Sequence, residues 1–322
     1  MRRPDAAHPA HPAEAETIGI IAGWGRYPLV VAEALRNQGH RVACCGVVGH
    51  ADEKLPALCD EFTTVGIAKV GRAIRFFGRH GVRRATMAGK FHKVRLFDPG
   101  VWWTHLPDWR AVRRFFPHFI LRRADLKDDT LLTALADEFA LDGIDFEPAT
   151  NYVPELLVKL GQLTLRGPSR AQRQDIEFGW TLAKELGRLD VGQSVAVKDR
   201  AALAVEAIEG TDLCIERAGG LCRAGGFTIV KVAKPQQDMR FDVPTIGRGT
   251  LETMIRAGAS VLAVEAGRTI LIDQPEVVEL ANRHRLVIVA MESSGRFDYD
   301  SHLSEETPTG GRATTRPSTS DP

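Results

Sequence analysis

The chain has 322 residues, of which 44% are hydrophobic, and it carries a formal net charge of +1. This length predicts two domains of ordinary size, and the near-zero charge argues against a protein drawn to nucleic acid by its overall field. The N-terminus lacks the apolar stretch of a signal peptide, and no run approaches the roughly 20 apolar residues that span a bilayer. We therefore expect a cytoplasmic protein that binds no nucleic acid.

Strands and helices alternate along the first half, which predicts a parallel sheet covered on both faces. We expect an α/β protein with an N-terminal Rossmann-like parallel-sheet domain (17–165), a second α/β domain (166–302), and disordered tails at 1–16 and 303–322. The predicted elements are, in chain order, strand 18–22, helix 29–39, strand 41–48, edge strand 62–65, helix 70–80, strand 85–89, helices 129–141 and 172–188, a hairpin of 194–197 with 202–207, strand 227–232, helix 249–257, strands 261–264 and 269–272, helix 275–284 and strand 286–290.

The cysteines indicate a reducing compartment. Their number is odd, no spacing among them is typical of a metal site, and two of them are adjacent in an apolar run. We expect reduced thiols within the core. The residues are Cys44, Cys45, Cys59, Cys214 and Cys222.

A glycine turn, Gly23-Trp24-Gly25, follows the first predicted strand and precedes a helix. Glycines at this point let a backbone approach a phosphate, and a helix N-terminus favours an anion. Pro28 stands where a dinucleotide-binding sequence has its third glycine, and no acid follows the next strand, which argues against a nicotinamide site. A nucleotide or phosphate contact and a tight turn without a ligand both stay open.

Two adjacent acids, Asp128 and Asp129, follow Lys127. Acids at a helix N-terminus complement the helix dipole, so one interpretation is helix capping. The second is a place near a substrate or a metal, because the pair of carboxylates has a lysine beside it.

Charged segments follow apolar strands in the second half: residues 209–212 follow one strand, Lys231 and Lys234 follow another, and residues 240–247 come next. Each falls where a βα loop leaves the carboxyl edge of a sheet, the edge at which open α/β sheets bind ligands. Carboxylates there can hold Mg²⁺, and lysines suit phosphate oxygens. The set predicts phosphoryl chemistry with a metal, a positive clamp and a carboxylate that orients water. Ordinary surface loops look similar one residue at a time.

Residues 91–124 combine aromatic and basic side chains. This composition is typical of a membrane interface, with rings at headgroup depth and cations on anionic lipid. A helical excursion with an aromatic core has the same composition, and nucleic-acid binding is a third alternative, against which the net charge argues. The residues are Trp102, Trp103, Trp109, Phe115, Phe116 and Phe119, among Lys93, Arg95, Arg110, Arg113, Arg114, Arg122 and Arg123.

Longer motifs indicate a family resemblance that runs from about Ile18 to Met291. The chain resembles the bacterial UDP-2,3-diacylglucosamine pyrophosphatases of the non-metallophosphatase type. It departs from them in the indole of Trp24 within the glycine turn and in a missing glycine after Lys127. The motifs are 18–25 with 28–29, 87–90 and 127–132 in the first half, and the more specific 185–193, 204–212, 231–235, 242–247 (Asp-Val-Pro-Thr-Ile-Gly) and 265–267 in the second.

The resemblance implies hydrolysis of UDP-2,3-diacylglucosamine to UMP and 2,3-diacylglucosamine 1-phosphate, with Mg²⁺ as cofactor. The lipid-linked nucleotide sugar would be held between two domains, with possible peripheral inner-membrane contact through residues 91–124. The family's essential aspartate falls at Asp242. The assigned catalytic residues are Asp242, Asp212 and Lys234, with Asp242 and Asp212 as metal ligands, and the assigned substrate-binding residues are Gly23, Gly25, Lys90, Asp128, Asp129, Glu209, Thr211 and Thr245.

Three rival functions remain at this stage. A catalytically inactive nucleotide-sugar-binding or regulatory protein is one, against which the intact motif at Asp242 argues. An NAD-dependent oxidoreductase is the second, against which the interrupted glycine pattern argues. The third is a nucleic-acid binder that uses residues 91–124.

Overall fold

The computed structural model describes residues 15–90, 108–110 and 128–297. The predicted disordered tails, apart from residues 15 and 16, lie outside the described residues. So does the aromatic and basic segment 91–124, apart from residues 108–110. Within the described ranges, no helix is long and apolar enough to cross a membrane.

The first sheet has five parallel strands, and its central strand is buried on both faces. Ile18 and Ile20 pack into the core cluster on one face, and Ile21 packs into the cluster on the other. A strand covered on both faces needs a continuous apolar run, which is why the sequence shows no alternation here. The strands are β1 (Thr17–Ala22), β2 (Arg41–Val47), β3 (Glu61–Val65), β4 (Arg84–Ala88) and β5 (Asp145–Phe146), in the spatial order β3-β2-β1-β4-β5.

Helices cover both faces of this sheet. The strand order matches that of a Rossmann sheet without its sixth strand, so the predicted N-terminal parallel-sheet fold is confirmed. The helix that begins at Val70 shows the pattern on which its prediction rests. Val70, Ile74 and Phe77 recur at helical spacing and are buried, whereas Arg72 and Arg75 are exposed. The helices are α1 (Tyr27–Asn37), α2 (Leu55–Leu58), α3 (Val70–Arg79) and α4 (Asp128–Ala140).

The second half contains a six-stranded mixed sheet and a separate two-stranded sheet. The strands are β6 (Gly161–Gln162), β7 (Ser194–Lys198), β8 (Ala201–Val205), β9 (Phe227–Lys231), β10 (Thr245–Ile246), β11 (Ala259–Glu265), β12 (Ile270–Leu271) and β13 (Val287–Met291). The larger sheet has the order β6-β13-β11-β9-β7-β8, and β10 pairs with β12. The antiparallel pairs of β7 with β8 and with β9 confirm the hairpin and make β8 parallel to β9. The strands β8, β9, β11 and β13 therefore share one carboxyl edge.

Four helices accompany these sheets: α5 (Arg170–Arg188), α6 (Thr211–Leu221), α7 (Arg248–Ala257) and α8 (Gln274–Arg283). The start of α5 is fixed by a capping box between Ser169 and Gln172. The sequence analysis did not predict α6, which contains two glycines and has a weak apolar pattern. Gly219 belongs there because a Cβ at this position would lie 2.7 Å from the carbonyl oxygen of Ala257, so α6 and α7 pack closely.

The two halves of the chain pack against each other through the small sheet. Ile270 and Ile272 belong to the same core cluster as Ile18 and Leu29 of the first half. The guanidinium of Arg26, which follows β1, also donates to the carboxylate of Asp273, which follows β12, at 2.5 Å. These contacts bring the carboxyl edge of the first sheet to the second half of the chain.

Candidate functional site

The glycine turn after β1 is bonded to the residues that follow β4. The amide of Trp24 donates to the carbonyl of Lys90 at 2.8 Å, and the amide of Lys90 donates to the carbonyl of Trp24 at 2.9 Å. Gly89 has φ +95°, and a Cβ there would lie 2.8 Å from the carbonyl carbon of Gly23. Only glycine tolerates this approach. Gly23, Gly25 and Lys90 therefore lie together at the carboxyl edge of the first sheet.

A network of buried polar side chains occupies the carboxyl edge of the second sheet. Lys231, the last residue of β9, is 2% exposed. Its ammonium donates to Thr211 Oγ1 at 3.0 Å and to the carbonyl of Thr245 at 3.3 Å. Thr211 Oγ1 donates to Glu206 Oε1 at 2.9 Å and lies 3.3 Å from Ser194 Oγ. One hydroxyl thus ties β7 and β9 to the start of α6.

Four charged groups act on the ammonium of Lys231. Burial lowers the pKa of Lys231 below its usual value of 10.5. The negative charge of Glu206 raises this pKa, the positive charge of Lys90 lowers it, and the negative charges of Asp212 and Asp242 raise it. Glu206 is the carboxylate linked to Lys231 by hydrogen bonds, through the hydroxyl of Thr211. Lys90 follows β4 of the first sheet, so a charge from the first half of the chain contributes to the electrostatics of this site.

Asp212 lies in the first turn of α6, beside the first turn of α7. Its Oδ1 accepts a hydrogen bond from Thr250 Oγ1 at 2.9 Å. Each helix begins after a glycine, Gly210 or Gly247. The backbone N–H groups and the positive ends of the two helix dipoles favour an anion at this edge.

Asp242 lies on a loop that packs against both faces of the first sheet. Phe241 belongs to the core cluster on one face of that sheet, and Val243 packs against the cluster on the other. Asp242 therefore lies between two residues that are anchored in core clusters of the first half. Its Oδ2 accepts a hydrogen bond from Gln237 Nε2 at 2.7 Å, and Gln237 Oε1 accepts one from the amide of Lys234 at 2.9 Å.

Both halves of the chain match one protein family. The LpxI N-terminal domain matches residues 17–156, and the LpxI C-terminal domain matches residues 159–289. The chain belongs to the LpxI family. It is similar to the protein named UDP-2,3-diacylglucosamine pyrophosphatase LpxI from Caulobacter vibrioides, to which it is 30% identical over 288 residues, covering 87% of this chain and 99% of that protein. The resemblance inferred from the sequence motifs is confirmed.

Two of the assigned residues in this LpxI-family chain lie in ion pairs. The ammonium of Lys234 bonds to Asp190 Oδ1. Glu209 Oε1 accepts from the guanidinium of Arg217, and Glu209 Oε2 accepts from the amide of Ala207 at 3.0 Å. Lys234 and Glu209 thus form ion pairs within the protein. The ammonium of Lys231 instead donates to two neutral oxygens.

The pair of acids after Lys127 is only partly described. Helix α4 begins at Asp128, so Asp128 and Asp129 stand at a helix N-terminus. Their side chains and Lys127 lie outside what the structure describes, and both interpretations of this pair stay predictions.

Two buried carboxylates that support the site, Glu206 and Glu265, were not predicted from the sequence. Glu206 was included in an apolar strand, although a carboxylate at the end of such a strand is a signal that could have been noticed. Glu265 is fully buried at the end of β11, where its Oε2 accepts from Lys184 Nζ at 2.6 Å and from the amide of Ala233 at 2.8 Å. These bonds fix the turn that follows β9 and carries Lys234.

The donor chemistry of Asp212 and Asp242, two carboxylates, is of the kind that Mg²⁺ takes. In the described ranges, no group of three or more His, Cys, Asp or Glu side chains is placed to hold a metal ion. Asp212 and Asp242 are instead two carboxylates that both act on the ammonium of Lys231. Mg²⁺ is commonly bound by one or two carboxylates together with substrate phosphates and waters. Such a pair, at an edge that favours anions, suits Mg²⁺.

Proposed function

We propose that this chain hydrolyses UDP-2,3-diacylglucosamine to UMP and 2,3-diacylglucosamine 1-phosphate, a step of lipid A biosynthesis. The observation that carries the proposal is the match of both halves to the LpxI family, which includes the named pyrophosphatase of Caulobacter vibrioides. The charges and helix starts near Lys231 support it, because cations and backbone N–H groups at helix N-termini bind phosphates. Lys90 comes from the carboxyl edge of the first sheet, and the starts of α6 and α7 come from that of the second.

The proposed roles follow from where each side chain lies. Asp242 binds the metal or orients the attacking water, as the family motif implies, and its loop is anchored through Phe241 and Val243. Asp212 holds a position beside the anion-favouring helix starts. The glycine turn and Lys90 contact the nucleotide diphosphate, and Thr245 of β10, whose carbonyl accepts from Lys231, binds the substrate beside them. Lys234 would have to exchange its partner Asp190 for a phosphate oxygen to act as the clamp assigned to it.

Mg²⁺ is the proposed cofactor. Asp212 and Asp242 would hold it together with phosphate oxygens of the substrate. When bound, the ion supplies positive charge that stabilises the negative charge developing on the phosphates.

Contact with the cytoplasmic face of the inner membrane is proposed for the segment 91–124. Its described part docks beside α3, because Asp108 accepts a hydrogen bond from the amide of Arg72 at 3.2 Å. Trp109 next to it is 79% exposed. Exposed indole rings are favoured at headgroup depth, which suits an enzyme whose substrate carries two acyl chains.

A direct assay tests the activity. The protein is incubated with UDP-2,3-diacylglucosamine and Mg²⁺, and both UMP and the sugar phosphate are measured. We expect both products in equal amounts, and none after EDTA removes the metal. Substrate binding without UMP release would instead support the rival function, an inactive nucleotide-sugar-binding protein.

Isotope labelling tests which phosphorus water attacks. We propose attack on the uridine-side phosphorus, so hydrolysis in H₂¹⁸O should place ¹⁸O in UMP. The sugar-side phosphate is then the leaving group, and cations near it would neutralise the charge that develops as the bond breaks. Label found only in the lipid phosphate would contradict this orientation.

A further inference from the structure

The hydroxyl of Thr211 is fully occupied within the protein. A hydroxyl has one proton and two lone pairs. Its proton goes to Glu206, because an ionised carboxylate only accepts, while the ammonium of Lys231 and the hydroxyl of Ser194 approach its oxygen. The side chain of Thr211 therefore positions Lys231 and has no capacity left for a substrate oxygen.

Lys231, by contrast, still has one proton that it can donate to a ligand. An ammonium has three protons, and two are used, on the hydroxyl of Thr211 and the carbonyl of Thr245. Both acceptors are neutral oxygens. Among the described residues no carboxylate forms an ion pair with Lys231, although the residue is 2% exposed. Three carboxylates, Glu206, Asp212 and Asp242, act on this ammonium without being bonded to it, and its third proton can be donated to an oxygen of an anionic ligand.

We propose that Lys231 is a catalytic residue that binds a nonbridging phosphate oxygen of the diphosphate, with Thr211 and Glu206 as its positioning residues. This inference rests on the proposed function. Lys90, which follows β4 of the first sheet, adds a second positive charge to the electrostatics of this site. Lys231 is held rigidly by strand and hydroxyl, and such a preorganised cation stabilises the charge that develops as the diphosphate breaks.

Substitution of the lysine tests the proposal against a matched control. Lys231→Met keeps the length of the side chain and removes the charge. Lys198→Met is the control, because Lys198 lies on the neighbouring strand β7 and donates to the carbonyl of Gly226 at 2.9 Å. We expect Lys231→Met to lower kcat on the order of 10²-fold or more and Lys198→Met to leave it nearly unchanged. Equal kcat in the two folded variants would overturn the proposal.

Conservative changes at Thr211 provide a second test that does not alter the lysine. Thr211→Ser keeps the hydroxyl, and Thr211→Val keeps the shape without it. Because the hydroxyl only positions Lys231, we expect kcat to fall on the order of tenfold or more in Thr211→Val and to be largely kept in Thr211→Ser. Equal activity of the two variants would count against a positioning role.

The pH dependence of kcat/KM separates a positioning role from a general structural one. The charged groups that face Lys231 are Glu206, Lys90, Asp212 and Asp242. Only the ammonium form binds phosphate, so activity should fall above its pKa at saturating Mg²⁺. Glu206→Gln removes a negative charge and should move this alkaline limb to lower pH, whereas Lys90→Met removes a positive charge and should move it to higher pH. Shifts of the same sign, or none, would overturn the assignment.

A binding measurement distinguishes failure of this inference from failure of the proposed function. If the unmodified protein releases no UMP, the proposed function fails. Titration with inorganic pyrophosphate then tests Lys231 alone. Weaker binding by Lys231→Met than by Lys198→Met would support the anion site, and equal binding would overturn it.

Discussion

Two lysines on the same short segment, Lys231 and Lys234, have opposite surroundings. Lys231 is 2% exposed and bonds to a hydroxyl and a carbonyl, both neutral. The side chain of Lys234 is 14% exposed and is ion-paired with Asp190. An ammonium that a carboxylate already neutralises has less charge to offer a substrate than one held by neutral oxygens. From this comparison we expect the buried lysine to contribute more to the reaction than the paired one.

The segment of Lys234 and the loop of Asp242 are connected through Gln237, which is buried. It accepts a hydrogen bond from the amide of Lys234 and donates one to the carboxylate of Asp242. The segment of Lys234 thereby supports the loop on which Asp242 lies. The following predictions test this division, beginning with the largest expected effect.

Asp242 should be the most sensitive position of the loop. Asp242→Asn removes a charge that acts on Lys231 while keeping the shape and an oxygen that accepts from Gln237. We expect turnover to fall on the order of 10²-fold or more, with little change in the thermal midpoint. Asp238→Asn is the matched control, because Asp238 pairs with Arg240 on the same loop. Similar turnover rates of the two variants would refute a role of Asp242 in the reaction.

Phe241 should matter for stability more than any charged residue of the loop. It is 8% exposed, and its ring centroid lies 6.0 Å from that of Phe146 in the first half. Phe241→Ala should lower the free energy of unfolding by about 3 kcal/mol, since it leaves a cavity where the halves meet. Denaturant titration measures this. Leu213→Ala, at a side chain that is 56% exposed, should change it little, and equal losses would refute the anchoring role.

Lys234 should tolerate substitution better than Lys231. Lys234→Met breaks the ion pair with Asp190, and we expect a loss of about 1 kcal/mol in the free energy of unfolding. Turnover should fall less than about tenfold, because the buried ammonium keeps its own contacts. Steady-state kinetics of the two methionine variants side by side decide the comparison. A larger loss in Lys234→Met would reverse the roles assigned to the two lysines.

The smallest expected effect is a dependence of stability on alkaline pH. Burial lowers the pKa of Lys231 in the folded state from the usual 10.5, so the unfolded chain binds more protons between the two values. The contribution of Lys231 to the free energy of unfolding should therefore rise with pH through that window. Other groups titrate there too, so the measured quantity is the difference between the unmodified protein and Lys231→Met. A difference that falls with rising pH would contradict the lowered pKa.

Local patterns in the sequence determined most of the fold. The apolar runs of β1 and β9 and the spacing of Val70, Ile74 and Phe77 depend only on neighbours along the chain, which is why their elements were predicted. Strands of two residues, such as β5 and β10, were missed or misplaced because their pairing depends on partners far along the chain. Helix α6 was missed because Gly219 serves its packing against α7 and weakens the helical signal.

The sequence by itself also determined the family and the motif at Asp242, since both are contiguous strings of residues. Only the tertiary structure decided which charged side chain faces which. Lys231 and Lys234 look alike in the sequence, but the first bonds to Thr211 and Thr245 and the second pairs with Asp190, residues far from them along the chain. Burial and electrostatic interaction depend on distance in space, and a hydroxyl such as that of Thr211 can be known to be occupied only when all of its neighbours are in place.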